Sequence, residues 1–129
     1  MIPEGLSYTK THEWAKRDAG SHVIVGITHH AQEELKDIVF VELPSVGKTI
    51  TAGQPCAVVE SVKAAFDIYA PISGTVVRVN EELPRKPQLI NEDCYGQGWF
   101  FVVETTQPAE LNALLTPAAY GKLLTAGHA

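Results

Sequence analysis

Cysteine is nearly missing from this chain. Cys56 and Cys94 are its only two, and neither sits in the C-x-x-C spacing of a redox or metal site. They can form at most one bridge, which a chain of 129 residues does not need, so a reducing, cytoplasmic setting is expected. No N-x-S/T acceptor occurs, and no run is apolar and long enough to span a bilayer. The first residues, Met1-Ile2-Pro3-Glu4-Gly5, hold neither a basic region nor an apolar run, so no secretory signal is read there. Excess positive charge is lacking too. The formal net charge is -5, which argues against a nucleic-acid surface. What remains is an ordinary globular balance, 45% hydrophobic and 19% charged, in a length that suits one domain over 1–129 with a real core.

Most of the chain reads as short strands divided by Gly and Pro. Residues 8–17 are strand-like, Asp18-Ala19-Gly20-Ser21 turns the chain, and 22–27 alternates with Val23, Val25 and Ile27 on one face. The two segments are expected to pair. Thr28 can cap a short helix over 29–35. Ile38-Val39-Phe40-Val41 reads as a buried strand and 49–50 as a short one. Residues 55–70 form a hairpin. A strand over 75–79 places Val77 and Val79 on one face. Residues 80–93 read as a surface loop with room for one helical turn, 94–98 as a tight turn, and 99–104 as a strand that is either buried on both faces or closes the sheet. Pro108 and Pro117 open helices over 109–115 and 118–124, so 107–129 is a helical C-terminal segment whose end, Gly127-His128-Ala129, should fray. The sum is a mainly β sandwich or barrel with a short helix after the second strand and helices at the C-terminus. A faint echo links 46–54 with 72–76, each a glycine turn beside a Val/Ile strand, as if two halves clasped each other.

The hairpin is the unusual element. Its arms, 56–60 and 66–70, are β-prone, but its centre, Ser61-Val62-Lys63-Ala64-Ala65, has none of the Asn-Gly or Gly-Gly pairs that tight turns favour. A single lysine stands there among small and apolar residues. An exposed Val62 is wasteful unless something reads it. The neighbouring acids Glu60 and Asp67 favour a charged amine, which is a poor setting for Schiff-base chemistry. The pattern fits a lysine that another enzyme modifies, more than a solubilising charge on a hairpin tip.

Val59-Glu60-Ser61-Val62-Lys63-Ala64-Ala65 resembles the lipoate attachment site of glycine cleavage system H proteins, members of the biotinyl/lipoyl-domain superfamily. Five further blocks resemble that family in the same order: Tyr8-Thr9-Lys10-Thr11-His12-Glu13-Trp14, Val25-Gly26-Ile27-Thr28, Asp37-Ile38-Val39-Phe40-Val41-Glu42-Leu43-Pro44, Ala70-Pro71-Ile72-Ser73-Gly74, and 90–99 from Ile90 to Trp99. Three positions depart from the family habit. Phe66 stands where a small polar residue is usual, Cys94 where Pro is common, and Gln97 where an acid is common. None touches the lysine.

The resemblance implies a flattened β-barrel, or barrel-sandwich hybrid, and a carrier that is not itself an enzyme. Lipoate would be joined to Lys63 by an amide, removing the lysine's charge. The carrier would shuttle the aminomethyl group of glycine from the pyridoxal-phosphate glycine decarboxylase to the aminomethyltransferase, and dihydrolipoamide dehydrogenase would reoxidise it. A lipoate ligase or a lipoyl/octanoyl transferase would load it. Glu60, Val62 and Ala64 are the residues such an enzyme would read around Lys63. The loaded arm would carry an ammonium, so Glu13, Glu34 and Asp67 are expected to shield it in a surface cleft, against the blander reading of a solvated acidic rim. Transient docking of a monomer is expected, with neither a nucleic acid nor a membrane as partner.

Other patterns carry less. Gly47-Lys48-Thr49 looks like the end of a phosphate loop, but Glu42 occupies the first glycine's place and no helix follows. His29 with Glu33, and His30 with Glu34, are one helical turn apart, yet two ligands on one short helix are not a metal site, and a solvated helix face is expected. Trp14 and Trp99 read as core or cleft wall, and nothing cationic lies close in sequence to activate Cys94. Three rivals remain. A biotinyl carrier typically has methionines beside its lysine, and a 2-oxoacid dehydrogenase lipoyl domain an aspartate before it. A lipoylated regulatory relative of the H proteins shares the motif. An enzyme in its own right lacks any nucleophile–base pair here.

Overall fold

The computed structural model describes residues 2–125. The expected fraying over Gly127-His128-Ala129 lies outside them. Among the described residues nine strands form two sheets. In chain order they are β1 (Ser7–Tyr8), β2 (Glu13–Arg17), β3 (His22–Ile27), β4 (Ile38–Glu42), β5 (Thr49–Ile50), β6 (Pro55–Ser61), β7 (Ala65–Tyr69), β8 (Gly74–Val79) and β9 (Phe101–Thr105). The larger sheet runs β1-β2-β3-β9-β8-β5 and the smaller β4-β6-β7, every pairing antiparallel. The sheets face each other without closing into one continuous barrel. Their inner faces meet in one core that includes Val23, Val25, Val41, Val59, Ile68, Val76, Phe101 and Val103. The β5–β8 pairing, Thr49 opposite Thr75, joins the two segments of the sequence echo.

The helices are short. Helix α1 (His29–Leu35) is capped as its sequence requires, with the Ala31 N–H donating to Thr28 Oγ1 at 3.2 Å. Helix α2 is a single turn, Leu89–Glu92, and α3 is Pro117–Thr125. Between β9 and α3, Pro108–Ala113 winds as a 3-10 helix in place of the expected helix over 109–115. Among the described residues no helix is long and apolar enough to cross a membrane.

Three sequence expectations need correction, each for a local reason. Residues 8–17 are two strands, because Thr9 folds back on Glu13: the Thr9 N–H donates to the Glu13 carbonyl at 3.0 Å, and Thr9 Oγ1 accepts the Glu13 N–H at 3.0 Å. The strand over 38–41 is not buried along its length. A register shift between Ile38 and Phe40 breaks the alternation, leaving Val39 54% and Phe40 45% exposed. A second shift, between Val76 and Arg78, gives the fully buried position to Val76, while Val77 and Val79 are half-buried. The 80–93 segment is the expected surface loop with one helical turn, α2, but it is pinned at a few points. Leu83, Leu89 and Ile90 are buried, and Asn80 Nδ2 donates to the carbonyls of Gln97 and Trp99, both at 2.8 Å, which holds the segment against the start of β9.

Candidate functional site

The β6–β7 hairpin carries the candidate site. Register places Val59 opposite Phe66 and Glu60 opposite Ala65, which leaves residues 61–64 to reverse the chain. The missing turn residues have a substitute in Ser61. Its N–H donates to the Ala64 carbonyl at 2.9 Å, and its hydroxyl oxygen accepts the N–H groups of Lys63 at 3.2 Å and Ala64 at 3.4 Å. Within the described residues, the non-glycine positions with φ in the left-handed region are His12 and Lys36, so this tip is built without a left-handed residue and needs no glycine. The Val62 N–H donates to the Asp37 carbonyl at 3.1 Å, fastening the tip to the α1–β4 connection. Lys63 therefore stands exposed on a tip held from two sides. Val62, at 69% exposure, and Ala64 stand open beside it. Glu60 is exposed on β6 between Phe40 of β4 and Ala65 of β7.

Beside the tip lies a cleft of about 410 Å³ lined by His30, Glu33, Glu34, Lys36 and Lys63. Of the three acids expected near the arm, Glu34 shares this cleft with Lys63. Asp67 is exposed on β7 and lines a different hollow of about 290 Å³, with Glu42, Lys48 and Cys56 among its walls.

Glu13 is no rim residue at all, being only 1% exposed. Its Oε1 accepts from the hydroxyls of Thr9 and Thr11, each at 2.5 Å, and its Oε2 accepts the Tyr69 N–H at 3.0 Å. The carboxyl thus joins β2 of the larger sheet to the end of β7 in the smaller one. Burial pushes its pKa above the ordinary carboxylate value, and the three hydrogen bonds pull against that shift without cancelling it.

The histidines of α1 are only partly a solvated face. His29 Nε2 lies 3.4 Å from Glu33 and His30 Nε2 3.9 Å from Glu34, but the His30 ring is also 4.5 Å, centroid to centroid, from His12. Among the described residues no group of three or more His, Cys, Asp or Glu is placed to hold a metal ion. Sequence reading gave no role to Ser61, His12 or Tyr120. Ser61 carried a usable signal, a small hydroxyl where a tight turn lacked glycine. The other two meet across 108 positions of sequence, which no local pattern reports. Trp14 is buried and donates from Nε1 to the Cys94 carbonyl at 3.1 Å. Trp99 is half-buried beneath the Arg78 guanidinium, 5.2 Å from its ring centroid.

Residues 6–127 match the family model described as glycine cleavage H-protein. The chain is 55% identical over 123 residues to a glycine cleavage system H protein of Xanthomonas campestris pv. campestris strain B100, covering 95% of this chain and 94% of that one. It is 54% identical over 123 residues to the protein of that description from Cronobacter sakazakii, covering 95% of each. A crystal structure of a glycine cleavage system H protein from Mycobacterium marinum matches with a TM-score of 0.87 at 42% identity, covering 96% of this chain and 99% of that one.

Proposed function

Because the chain belongs to the glycine cleavage H-protein family, and so is a lipoyl carrier of the glycine cleavage system, we propose that Lys63 is the residue through which it acts. The observation that carries this reading is a lone exposed lysine on a hairpin tip whose backbone is held by Ser61 and by Asp37. The residues fit the group. An amide at Nζ needs a solvent-facing amine, Lys63 is one, and the adjoining cleft offers about 410 Å³ in which an arm can rest. Lipoate, when joined there, would supply a disulfide that is reduced as it takes up the one-carbon unit and must be reoxidised once the unit has been passed on. The protein's own part is presentation. In this reading it works as a non-catalytic component.

The partners in this reading are the pyridoxal-phosphate glycine decarboxylase, the aminomethyltransferase, dihydrolipoamide dehydrogenase, and the ligase or transferase that attaches lipoate. The carrier meets each as a monomer. Of the three acids, Glu34 shares the cleft with Lys63 and is the one proposed to meet a loaded arm's ammonium, while Glu13, buried and already bonded at both oxygens, serves the sheet junction. Asp67 lines the other hollow, apart from Lys63, and has no part in the proposed shielding.

Intact mass of the protein from its native host tests the reading. An addition equal to lipoyl, absent in Lys63→Arg, is expected. A biotinyl mass, or an addition that persists in Lys63→Arg, overturns it. Glu60 gives a second test. It stands beside the tip, so Glu60→Ala should slow lipoylation by the attaching enzyme several-fold while the urea midpoint stays in place. Equal lipoylation rates would remove Glu60 from recognition.

A further inference from the structure

A chain of side chains runs from the cleft to the C-terminal helix and takes no part in the carrier reading. His12 ends the turn between β1 and β2 in the left-handed region, φ 73. Its backbone is fixed on both sides: its N–H donates to the Thr9 carbonyl at 3.2 Å, and its carbonyl accepts the Thr28 N–H at 3.0 Å. Its ring packs against His30, a wall of the cleft beside Lys63, and meets the ring of Tyr120 in α3 edge-on at 5.7 Å. His12 Nδ1 lies 2.7 Å from the Tyr120 hydroxyl, which lies 2.8 Å from Thr28 Oγ1.

One arrangement gives each hydroxyl hydrogen in this chain an acceptor. The Ala31 amide can only donate, so Thr28 Oγ1 accepts there. Thr28 then donates to Tyr120, and Tyr120 donates to a bare Nδ1. This arrangement requires His12 neutral with its proton on Nε2. Protonation makes Nδ1 a donor and forces Tyr120 to turn its hydrogen toward Thr28. The Thr28 hydrogen then loses its acceptor, although the residue is fully buried.

We infer that His12 is a positioning residue for the cleft: it holds His30 as the cleft wall and ties that wall to helix α3 through Tyr120, in an arrangement that one added proton undoes. This rests on the reading of the cleft as the arm's resting place.

The titratable groups around His12 agree on its neutral form. Burial and the neighbouring His30 lower its pKa from 6.5, and Glu34, reaching from the same helix as His30, opposes them without prevailing. Glu13 follows it in the chain. Tyr120, pushed up to about 12 by burial, and Tyr8, stacked on Tyr120 at 4.7 Å and raised by burial too, stay neutral across the working range. A lowered histidine pKa gives stability that is full above the unfolded value of 6.5 and is lost as pH falls from there through the folded value. The loosening should appear first at α3.

The test is amide hydrogen exchange by NMR on the full, unmodified chain at about pH 7.5 and 5.5, each rate corrected for its intrinsic pH dependence, with His12 and His30 ring signals followed in the same titration. Protection in α3 should fall relative to β3 and β9, by up to about tenfold for each pKa unit by which His12 is lowered. His12→Asn keeps a residue that tolerates left-handed backbone and an oxygen that can accept from Tyr120, but it does not titrate. In that variant α3 should stay protected at both pH values, and His30→Gln should shrink the wild-type fall. Constant α3 protection in the wild type, or an unchanged fall in His12→Asn, overturns the inference. The unmodified chain keeps this result separate from the lipoyl assignment, which the mass measurement decides.

Discussion

Glu13 shows how much one buried carboxyl can bind together. It takes two threonine hydroxyls on its own segment and a backbone N–H from the opposite sheet, with burial holding its pKa above the ordinary value. The sign of its pH effect follows. A raised carboxyl pKa contributes stability that is full below the unfolded value of 4.5 and is lost as pH rises through the folded value. Glu13→Gln removes that dependence, but it also brings an NH2 group into a cluster of three donors, so one donor goes without an acceptor. The expected cost is about 1–3 kcal/mol in urea unfolding, with a flatter stability profile above about pH 4.5. A wild-type cost below half a kilocalorie would mean that the cluster can rearrange. From sequence, Glu13 is expected near the arm because its segment should pack beside the hairpin. Its burial was not legible, since a Thr-x-Thr-x-Glu spacing does not reveal that both hydroxyls fold back onto the acid.

At the scale of elements, the alternating strand over 22–27, the Thr28 cap and the hairpin with its exposed tip were readable, because each is dictated by local periodicity or by a single side chain. The misreadings have a common cause. Register shifts in β4 and β8 are decided by the partner strand, and no local pattern carries them. The β2–β3 pairing offers a sharp test of element packing. Gly26 lies opposite Trp14, and a methyl group on its Cα would fall 2.6 Å from the indole carbons. The ring cannot swing away easily, since its Nε1 is bonded to the Cys94 carbonyl. Gly26→Ala should therefore cost roughly 1–3 kcal/mol in denaturant unfolding, through overpacking. Pairing it with Trp14→Phe, which shortens the ring, should recover part of the loss. No recovery would point to a backbone cause.

Across the whole molecule, two thiols report on cooperativity. Cys56 in the smaller sheet and Cys94 in the turn before β9 are free and buried, and burial pushes their pKa values up to about 12 and about 11. Neither should react with a disulfide reagent at pH 8 while the chain is folded, and both should react in denaturant. If 1–129 is one domain, the two should label at one shared rate under native conditions, set by global opening. Two distinct rates would divide the chain into separately opening parts. The bond from the Val62 N–H to the Asp37 carbonyl matters at this scale as well. A flexible tether presents its cargo at an effective concentration set by its own length and by where its base sits. Here the base is pinned to the body of the protein, so the volume swept by the cargo is a fixed dome above one end of the sheets. An enzyme that docks within that dome meets the cargo at high local concentration, and one that docks on the far face meets almost none.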